Sequence, residues 1–261
     1  MKPKKTKVAV ITVNFNNGAI TKECIDSFAD ITKTNIDLTL IVVDNGSVED
    51  ASLKLEKKLP QAKFIYSKTN LGFAGGNNLG IDYAQKNNSD FVLLINNDAT
   101  VIEKNFLVDI LKAKGDIISP LVKYKDGGKE THDYGGKVDT LFGRNTHLHS
   151  LPDQTPDYFS GVCLLINVKV FKKIGKLDDR FFLYYEDADF CLRAKKNGFK
   201  LGFSPKSSIF HNLSTSANKF GKRKITILAN SHIRFCLRHL PVTSLPFYTA
   251  FNLYLRFKTL L

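Results

Sequence analysis

No CxxC pair occurs in the sequence, whose four cysteines, Cys24, Cys163, Cys191 and Cys236, are scattered. A structural zinc site and a thioredoxin-like redox motif therefore have no support. Three of these cysteines sit among apolar neighbours, as buried reduced thiols of a cytoplasmic protein do. A fixed-period repeat and a long low-complexity tract are also missing, which excludes solenoids and extended disorder. No hydrophobic run is long enough to span a membrane. The longest uncharged stretch, residues 240–255, carries Pro241, Ser244, Pro246 and Asn252, whereas a spanning helix needs roughly 20 mainly apolar residues. The basic start of the chain leads straight into Val8-Ala9-Val10-Ile11, too short for a signal-peptide core, so export is not expected. Acidic residues are few beside basic ones, 25 against 38, and the net charge of +13 asks for an anionic partner. Nucleic acid, an acidic membrane surface and a phosphorylated small molecule all qualify.

A chain of 261 residues can bury a substantial core, as one large α/β domain or one domain with an appendage. Its first part alternates strand and helix signals. Apolar runs at residues 8–13, 38–43, 64–66 and 91–95 read as strands. Ile20, Cys24, Phe28 and Ile31 recur at helical spacing. Leu53, Leu55 and Leu59 mark a second helix, with Ser47 and Asp50 as a capping pair. The glycine-rich stretch 70–80 reads as a connection that precedes a short helix at 81–85, and Phe106, Leu107, Ile110 and Leu111 mark another helix. This alternation predicts a doubly wound, mostly parallel sheet flanked by helices. Residues 123–156 read as hairpins or a mobile loop. Beyond them, a strand is expected at 162–166 and a helix at 168–174. A helix at 187–197 with Gly198 as its left-handed cap follows, then strands at 199–203 and 208–211. From Lys219 onward the chain is basic, aromatic and helical in pattern.

Ligands bind such sheets at the carboxyl ends of the strands. Asn14, Asp44 and Asp98 each directly follow an apolar strand, so their side chains are expected at one edge. Asp98, in Asn96-Asn97-Asp98, suits a helix cap and a Mg²⁺ ligand equally. Asp44 suits a turn residue or a hydrogen-bond acceptor for a base or ribose. The glycine stretch offers either a tight turn or close backbone approach to a ligand. Glu186-Asp187-Ala188-Asp189 follows the aromatic run Phe181-Phe182-Leu183-Tyr184-Tyr185. Acidic residues there could simply complement the helix dipole. Rings beside carboxylates also make a water-poor pocket suited to sugars, in which the helix N-terminus keeps Asp187 ionised as a general base. His211 is either structural or a ligand to metal or phosphate.

Taken in order, residues 10–16, 41–47, 70–80 and 94–98, then Ser160-Gly161, residues 181–193 and His211, resemble the inverting family 2 glycosyltransferases with a GT-A fold. The likeness is greatest to their bacterial rhamnosyltransferase-like branch and covers residues 8–213. The resemblance implies sugar transfer from a nucleoside-diphosphate sugar to a glycan or lipid-linked acceptor in cell-surface polysaccharide synthesis. It implies a nucleotide-sugar site at Asn14, Asp44, Asn45, Gly72, Gly75, Asn77 and Asn97, with Asp44 on the base. Asp98 and His211 are implied as ligands of Mg²⁺ or Mn²⁺, Asp187 as the base, and Glu186 as its catalytic neighbour. The usual DxD motif is altered, with Asn96 in place of its first Asp.

The catalytic domain is expected over residues 1–215, with a nucleotide-sugar half to about 120 and an acceptor half beyond it. The remainder, 216–261, is expected to be a basic helical segment. Its Lys219, Lys222, Arg223, Lys224, Arg234, Arg238 and His239 suit either an anionic membrane surface at the cytoplasmic face or a solvated helix face. Two other readings compete. A sugar-phosphate nucleotidyltransferase shares the sheet but needs a basic glycine-rich signature near the first strand, which residues 14–18 do not supply. A nucleic-acid-binding protein fits the charge but lacks a recognisable module, and its lysines are spread along the chain, so no nucleic-acid partner is expected.

Overall fold

The apolar runs pair as parallel strands in the computed structural model, which describes residues 4–212 and 223–257. The first half supplies β1 (Thr6–Asn14), α1 (Gly18–Asp26), β2 (Ile36–Asn45), α2 (Glu49–Lys58), β3 (Ala62–Ser67), α3 (Gly72–Lys86) and β4 (Phe91–Ile95). These strands lie side by side in the order β3-β2-β1-β4, every pair parallel. Successive side chains on a strand point to opposite faces, and β1 shows why its run is continuously apolar. Ala9 and Ile11 pack in the core beneath α3, while Val8 and Val10 pack on the other face with Cys24, Phe28 and Phe106. A strand buried on both faces has no polar alternation to show. Each large aliphatic side chain buried this way contributes roughly 1.5–3 kcal/mol.

The second half contributes β5 (Ala99–Val101), α4 (Phe106–Ile110), β6 (Ile117–Asp126), β7 (Lys129–Asp133), β8 (Gly136–Val138), β9 (Asn145–His147), β10 (Cys163–Asn167) and α5 (Val168–Ile174). After these come α6 (Glu186–Lys196), β11 (Leu201–His211), α7 (Arg223–His239), a short 3₁₀ turn (Val242–Ser244) and α8 (Leu245–Phe257). The sheet continues from β4 through β10, β6, β11 and β5. Antiparallel pairs enter here, β10 with β4 and β6, and β5 with β11, so the complete sheet is mixed. Residues 123–156 form hairpins: β7 folds back on β6, and β8 pairs with β9 in a separate small sheet. Strand β6 runs across residue 120, so no break in the sheet marks that position.

Several expectations about elements need correction. The glycine-rich stretch is not a connection before a helix but the first half of α3 itself. Glycine is a poor helix former, yet here closeness to the sheet decides. A Cβ on Gly80 would lie 2.5 Å from Ile11 Cγ2, and one on Gly76 would lie 2.9 Å from Val13 Cγ1. Gly72, at φ +74, starts the helix against the Phe182 carbonyl, which accepts the Phe73 N–H at 2.8 Å. Helix α2 is not capped by Ser47; Val48 holds the cap position with no side-chain bond, and the Asp50 side chain lies outside the described residues. Ser47 Oγ instead accepts the Asn16 N–H at 2.8 Å. The two strands expected at 199–203 and 208–211 are one strand, β11, with a bulge between Ser204 and Ser208 that Pro205 and Lys206 occupy. Helix α1 stops at Asp26, and Phe28 and Ile31 are buried in the turn beyond it. Gly198 is left-handed at φ +84, as its place after α6 requires, and all four cysteines are buried free thiols.

Candidate active site

The carboxyl ends of β1, β2 and β4 do converge. β1 and β2 pair in register with Asn14 opposite Asp44, and Asn14 Nδ2 donates to Asp44 Oδ2 at 2.8 Å. Asn14 Oδ1 accepts the Thr21 hydroxyl at 2.8 Å, and Thr21 Oγ1 accepts Asn97 Nδ2 at 3.0 Å. One hydrogen-bonded chain thus runs Asp44–Asn14–Thr21–Asn97 along the sheet edge. Thr21 was not legible as part of it, since a threonine in the first turns of α1 carries no signal of its own. Asp44 Oδ1 accepts the Ser47 N–H at 2.9 Å, so one oxygen of this carboxylate holds the turn while the other holds Asn14.

Asn45, Gly72, Gly75 and Asn77 have work inside the chain. Asn45 Nδ2 donates to the Gly72 carbonyl at 3.0 Å, and Asn45 Oδ1 accepts the Leu71 N–H at 3.0 Å, tying β2 to the start of α3. Asn77 Nδ2 donates to the Phe73 carbonyl one turn back at 2.9 Å, and Gly75 lies within the helix against Leu71. These residues set the helix that closes the edge.

The β5–β11 pairing explains how residues 113 positions apart meet. Ala99 pairs with His211 at the end of β11, so Asp98 beside it receives the histidine, with His211 Nε2 and Asp98 Oδ1 3.1 Å apart. Among the described residues no group of three or more His, Cys, Asp or Glu side chains gathers as a metal cage. Two ligands suffice for a hard cation that takes its other positions from water and substrate phosphates. A carboxylate oxygen and an imidazole nitrogen at contact distance fit that kind of site.

Asp187 stands on the first turn of α6, after Tyr184 and Tyr185, both left-handed at φ +71 and +68. For bulky residues each such conformation costs about 1–3 kcal/mol and survives only where the surroundings impose it. Here α7 does so: the Tyr185 ring packs 5.0 Å from that of Phe235, and Ser231 Oγ donates to the Leu183 carbonyl at 2.8 Å. The turn aims Asp187 at Gly161, whose N–H donates to Oδ2 at 2.9 Å, while the Ala188 N–H donates to Oδ1 at 2.7 Å. Burial raises the Asp187 pKa, and those two N–H bonds only partly oppose it. The helix start therefore does not hold this carboxyl in its ordinary range, contrary to the sequence expectation. The Glu186 pKa is also raised, by burial and then by the Asp187 charge. A base with a raised pKa is a stronger proton acceptor near neutral pH.

These carboxyls open into a cleft of about 320 Å³ lined by Phe73, Asn96, Asn145, His147, Tyr158 and Tyr184 among others. That volume is at the small end of ligand sites, which run about 300–1,000 Å³. Asn145, His147 and Tyr158 come from the stretch in which the sequence showed only hairpins or a loop.

Asp189 takes no part in the cleft. It is fully buried and binds Arg193 Nε, Arg238 Nη1 and His239 Nε2, each at 2.8 Å. Arg238 also reaches Asp178 at 2.7 Å. Arg238 and His239 are thus turned inward to dock α7 on α6, which removes them from the basic face expected for a membrane; Lys219 and Lys222 lie outside the described residues. Asp189→Ala is expected to cost about 3–5 kcal/mol, because two guanidinium groups and the His239 imidazole lose their shared carboxylate. Burial pushes the Asp189 pKa up, but His239, Arg193 and Arg238 outweigh it and hold the carboxyl below its ordinary value. A depressed folded-state pKa gives stability that is complete above the ordinary carboxylate range and lost as pH falls below it. Urea unfolding of wild type and variant should differ at pH 7 and converge below about pH 4.

Residues 9–175 match the family model Glycosyl transferase family 2. The chain is 30% identical over 189 residues to the low-salt glycan biosynthesis hexosyltransferase Agl10 of Haloferax volcanii, covering 69% of this chain and 61% of that protein. It is 26% identical to the rhamnosyltransferase WbbL of Escherichia coli, covering 54% of this chain and 60% of that one. The chain thus spans about three-fifths of the length of these two relatives. Against the N-acetylglucosaminyl-diphospho-decaprenol L-rhamnosyltransferase of Mycobacterium tuberculosis the identity is 21%, over 85% of this chain and 80% of the other. Among solved structures, GalNAc-T7 with UDP, GalNAc and Mn²⁺ superposes with a TM-score of 0.65 at 15% identity, covering 80% of this chain and 44% of that one. S. aureus TarS 1–349 with UDP gives 0.59 at 20% identity, covering 87% and 65%. At such identities these two show the fold alone, a GT-A-type mixed sheet flanked by helices. With the family model matched over more than half of its residues, this chain belongs to glycosyl transferase family 2.

Proposed function

We propose that the protein is an inverting glycosyltransferase. It moves a sugar from a nucleoside-diphosphate sugar to a hydroxyl of a glycan or lipid-linked acceptor in cell-surface polysaccharide synthesis. The observation that carries this reading is Asp187, a half-buried carboxylate aimed by a strained turn into a cleft that also reaches Asn96, beside Asp98, at the sheet edge. On this reading the nucleotide lies along Asp44, Asn14 and Asn97, on the face that Asn45, Gly72, Gly75 and Asn77 brace, within the half ending near residue 120. The acceptor half runs from there to about 215. Asp187 takes the proton of the acceptor hydroxyl, and the oxygen attacks the anomeric carbon from the side opposite the diphosphate. The bond to the diphosphate breaks with its electron pair leaving on that group, and the configuration inverts. Asp98 and His211 would hold Mg²⁺ or Mn²⁺, whose charge would offset what builds on the leaving diphosphate. Burial and the Asp187 charge raise the Glu186 pKa, which disfavours a second negative charge beside the attacking oxygen.

A screen of nucleoside-diphosphate sugars with Mg²⁺ tests this by thermal unfolding. At 100 times Kd a ligand stabilises by about 2.7 kcal/mol, which raises Tm by roughly 5 °C or more. If no nucleotide sugar shifts the transition, and nucleoside triphosphate with sugar phosphate releases pyrophosphate, the nucleotidyltransferase reading replaces this one.

We place the protein at the cytoplasmic face of a membrane. No helix among the described residues is long and apolar enough to cross one. The α7–α8 segment exposes Leu237, Val242, Leu253 and Phe257 on its outer surface, in a chain of net charge +13. Apolar groups on a cationic protein suit an anionic lipid surface, and four free buried thiols suit a reducing compartment. Flotation with vesicles containing phosphatidylglycerol should carry the protein up, and vesicles of phosphatidylcholine alone should not. Equal flotation with both, or with neither, overturns the placement.

A further inference from the structure

Eight buried side-chain oxygen or nitrogen atoms find no hydrogen-bond partner among the described residues, and half of them belong to residues lining the cleft around Asp187: Asn145 Oδ1, Tyr158 OH, Tyr184 OH and Glu186 Oε2. A buried polar atom left unpaired is destabilising, so four of them on residues that line one cleft point to a polar ligand. They arrive from separate parts of the fold: β9, the segment before β10, the strained turn and the start of α6. No single element's irregularity accounts for them.

The chemistry of the group is specific. An amide and two phenols are neutral, and burial disfavours the charged form of Glu186. Such groups suit hydroxyls, which donate and accept at once. The rings of Phe73, Tyr158 and Tyr185 line the same cleft and offer apolar faces to the carbon skeleton of a sugar. Among the described residues the lining has no lysine or arginine side chain. The chain has 38 Lys and Arg, yet none is among the residues lining this cleft. His147 is the one titratable base there, and its Nδ1 lies 2.8 Å from Asp133 Oδ2, which itself is anchored by the Gly135 N–H. The Asp187 charge acts on the same imidazole. Any positive charge on His147 is already matched by two carboxylates.

We infer that the acceptor unit received beside Asp187 is an uncharged sugar whose hydroxyls are bound by Asn145 and Tyr158, and that sugars carrying a carboxylate are excluded by Asp187 and Asp133. This rests on the glycosyltransferase reading and assigns the acceptor class that the reading leaves open. A carboxylate in the cleft would stand near Asp187 with no Lys or Arg among the described lining residues to offset it, and like charges placed together in a partly buried site repel. Asn145 and Tyr158, both outside the nucleotide half, act as acceptor-specificity residues.

The test uses the full chain with Mg²⁺ and whichever of UDP, dTDP or GDP binds by calorimetry. Saturation-transfer NMR then compares methyl β-D-glucoside, methyl N-acetyl-β-D-glucosaminide and methyl α-L-rhamnoside with methyl β-D-glucuronide. At least one neutral glycoside should show transfer, the glucuronide none. Asn145→Ala and Tyr158→Phe should each reduce the neutral signal fivefold or more. Since the Tyr158 hydroxyl has no partner among the described residues, the phenylalanine variant should melt at or above the wild-type temperature, which separates lost binding from lost folding. Transfer to the glucuronide as strong as to the neutral glycosides, no transfer to any neutral glycoside, or signals indifferent to both variants would each overturn the inference. If none of the nucleotides binds, the glycosyltransferase reading itself fails. If a nucleotide binds and the sugars behave otherwise, only the acceptor assignment fails.

Discussion

Asp187→Asn is expected to slow sugar transfer by about 10²–10⁴-fold, the usual worth of a positioned general base, with donor affinity unchanged. The amide keeps the size of the carboxylate but cannot take a proton from the acceptor. It also retains only one oxygen for the two N–H groups, of Gly161 and Ala188, that now each have their own. One of them then faces an NH₂ group, so a loss of stability of about 1–3 kcal/mol should accompany the loss of rate. Initial rates and a melting curve read the two effects separately. Wild-type activity should also rise with pH through an acid limb set by Asp187. Because burial raises this carboxyl, that limb should lie above the ordinary Asp range and vanish in the variant. Full transfer by the Asn variant would remove Asp187 from the role of base.

Asp98→Ala should act on the other half of the reaction. Loss of an outer-shell partner costs a metal site roughly 10–100-fold in affinity, and loss of one of its two protein ligands should cost at least that. Titration calorimetry with the nucleotide identified above, with and without Mg²⁺, should show the metal-dependent part of the affinity disappear. The metal-independent part, from the Asp44–Asn14 edge, should remain. His211→Ala should reproduce the direction with a smaller effect, since the Asp98 carboxylate would remain as a ligand. An undiminished Mg²⁺ dependence in the Asp98 variant would dismiss the metal assignment.

Legibility followed the periodicity of the chain. β1, β2 and β4 announced themselves as continuous apolar runs ending in Asn or Asp, and a parallel sheet then brings those ends together. That is why Asn14 and Asp44 meet as the sequence suggested. The glycine stretch misled because glycine weakens a helix locally, while what fixes α3 is how near its backbone lies to Ile11 and Val13. Asp189 stands in the same acidic run as Asp187 in the sequence. On a helix they point to different sides, and Asp189 meets α7 instead. Asn145, His147 and Tyr158 gave no signal, since their hairpin is held by pairing with distant segments and has little periodicity of its own.

The paired left-handed tyrosines bear on how this protein should wear out. Tyr184 and Tyr185 keep their conformation through α7, which is joined to the body by ions and rings and takes no part in the central sheet. Loosening of that helix would let the turn relax and swing Asp187 off Gly161 while the strands stayed paired. Heat inactivation should therefore run ahead of the loss of sheet signal, and a preparation could look folded by circular dichroism after its catalytic lifetime had ended.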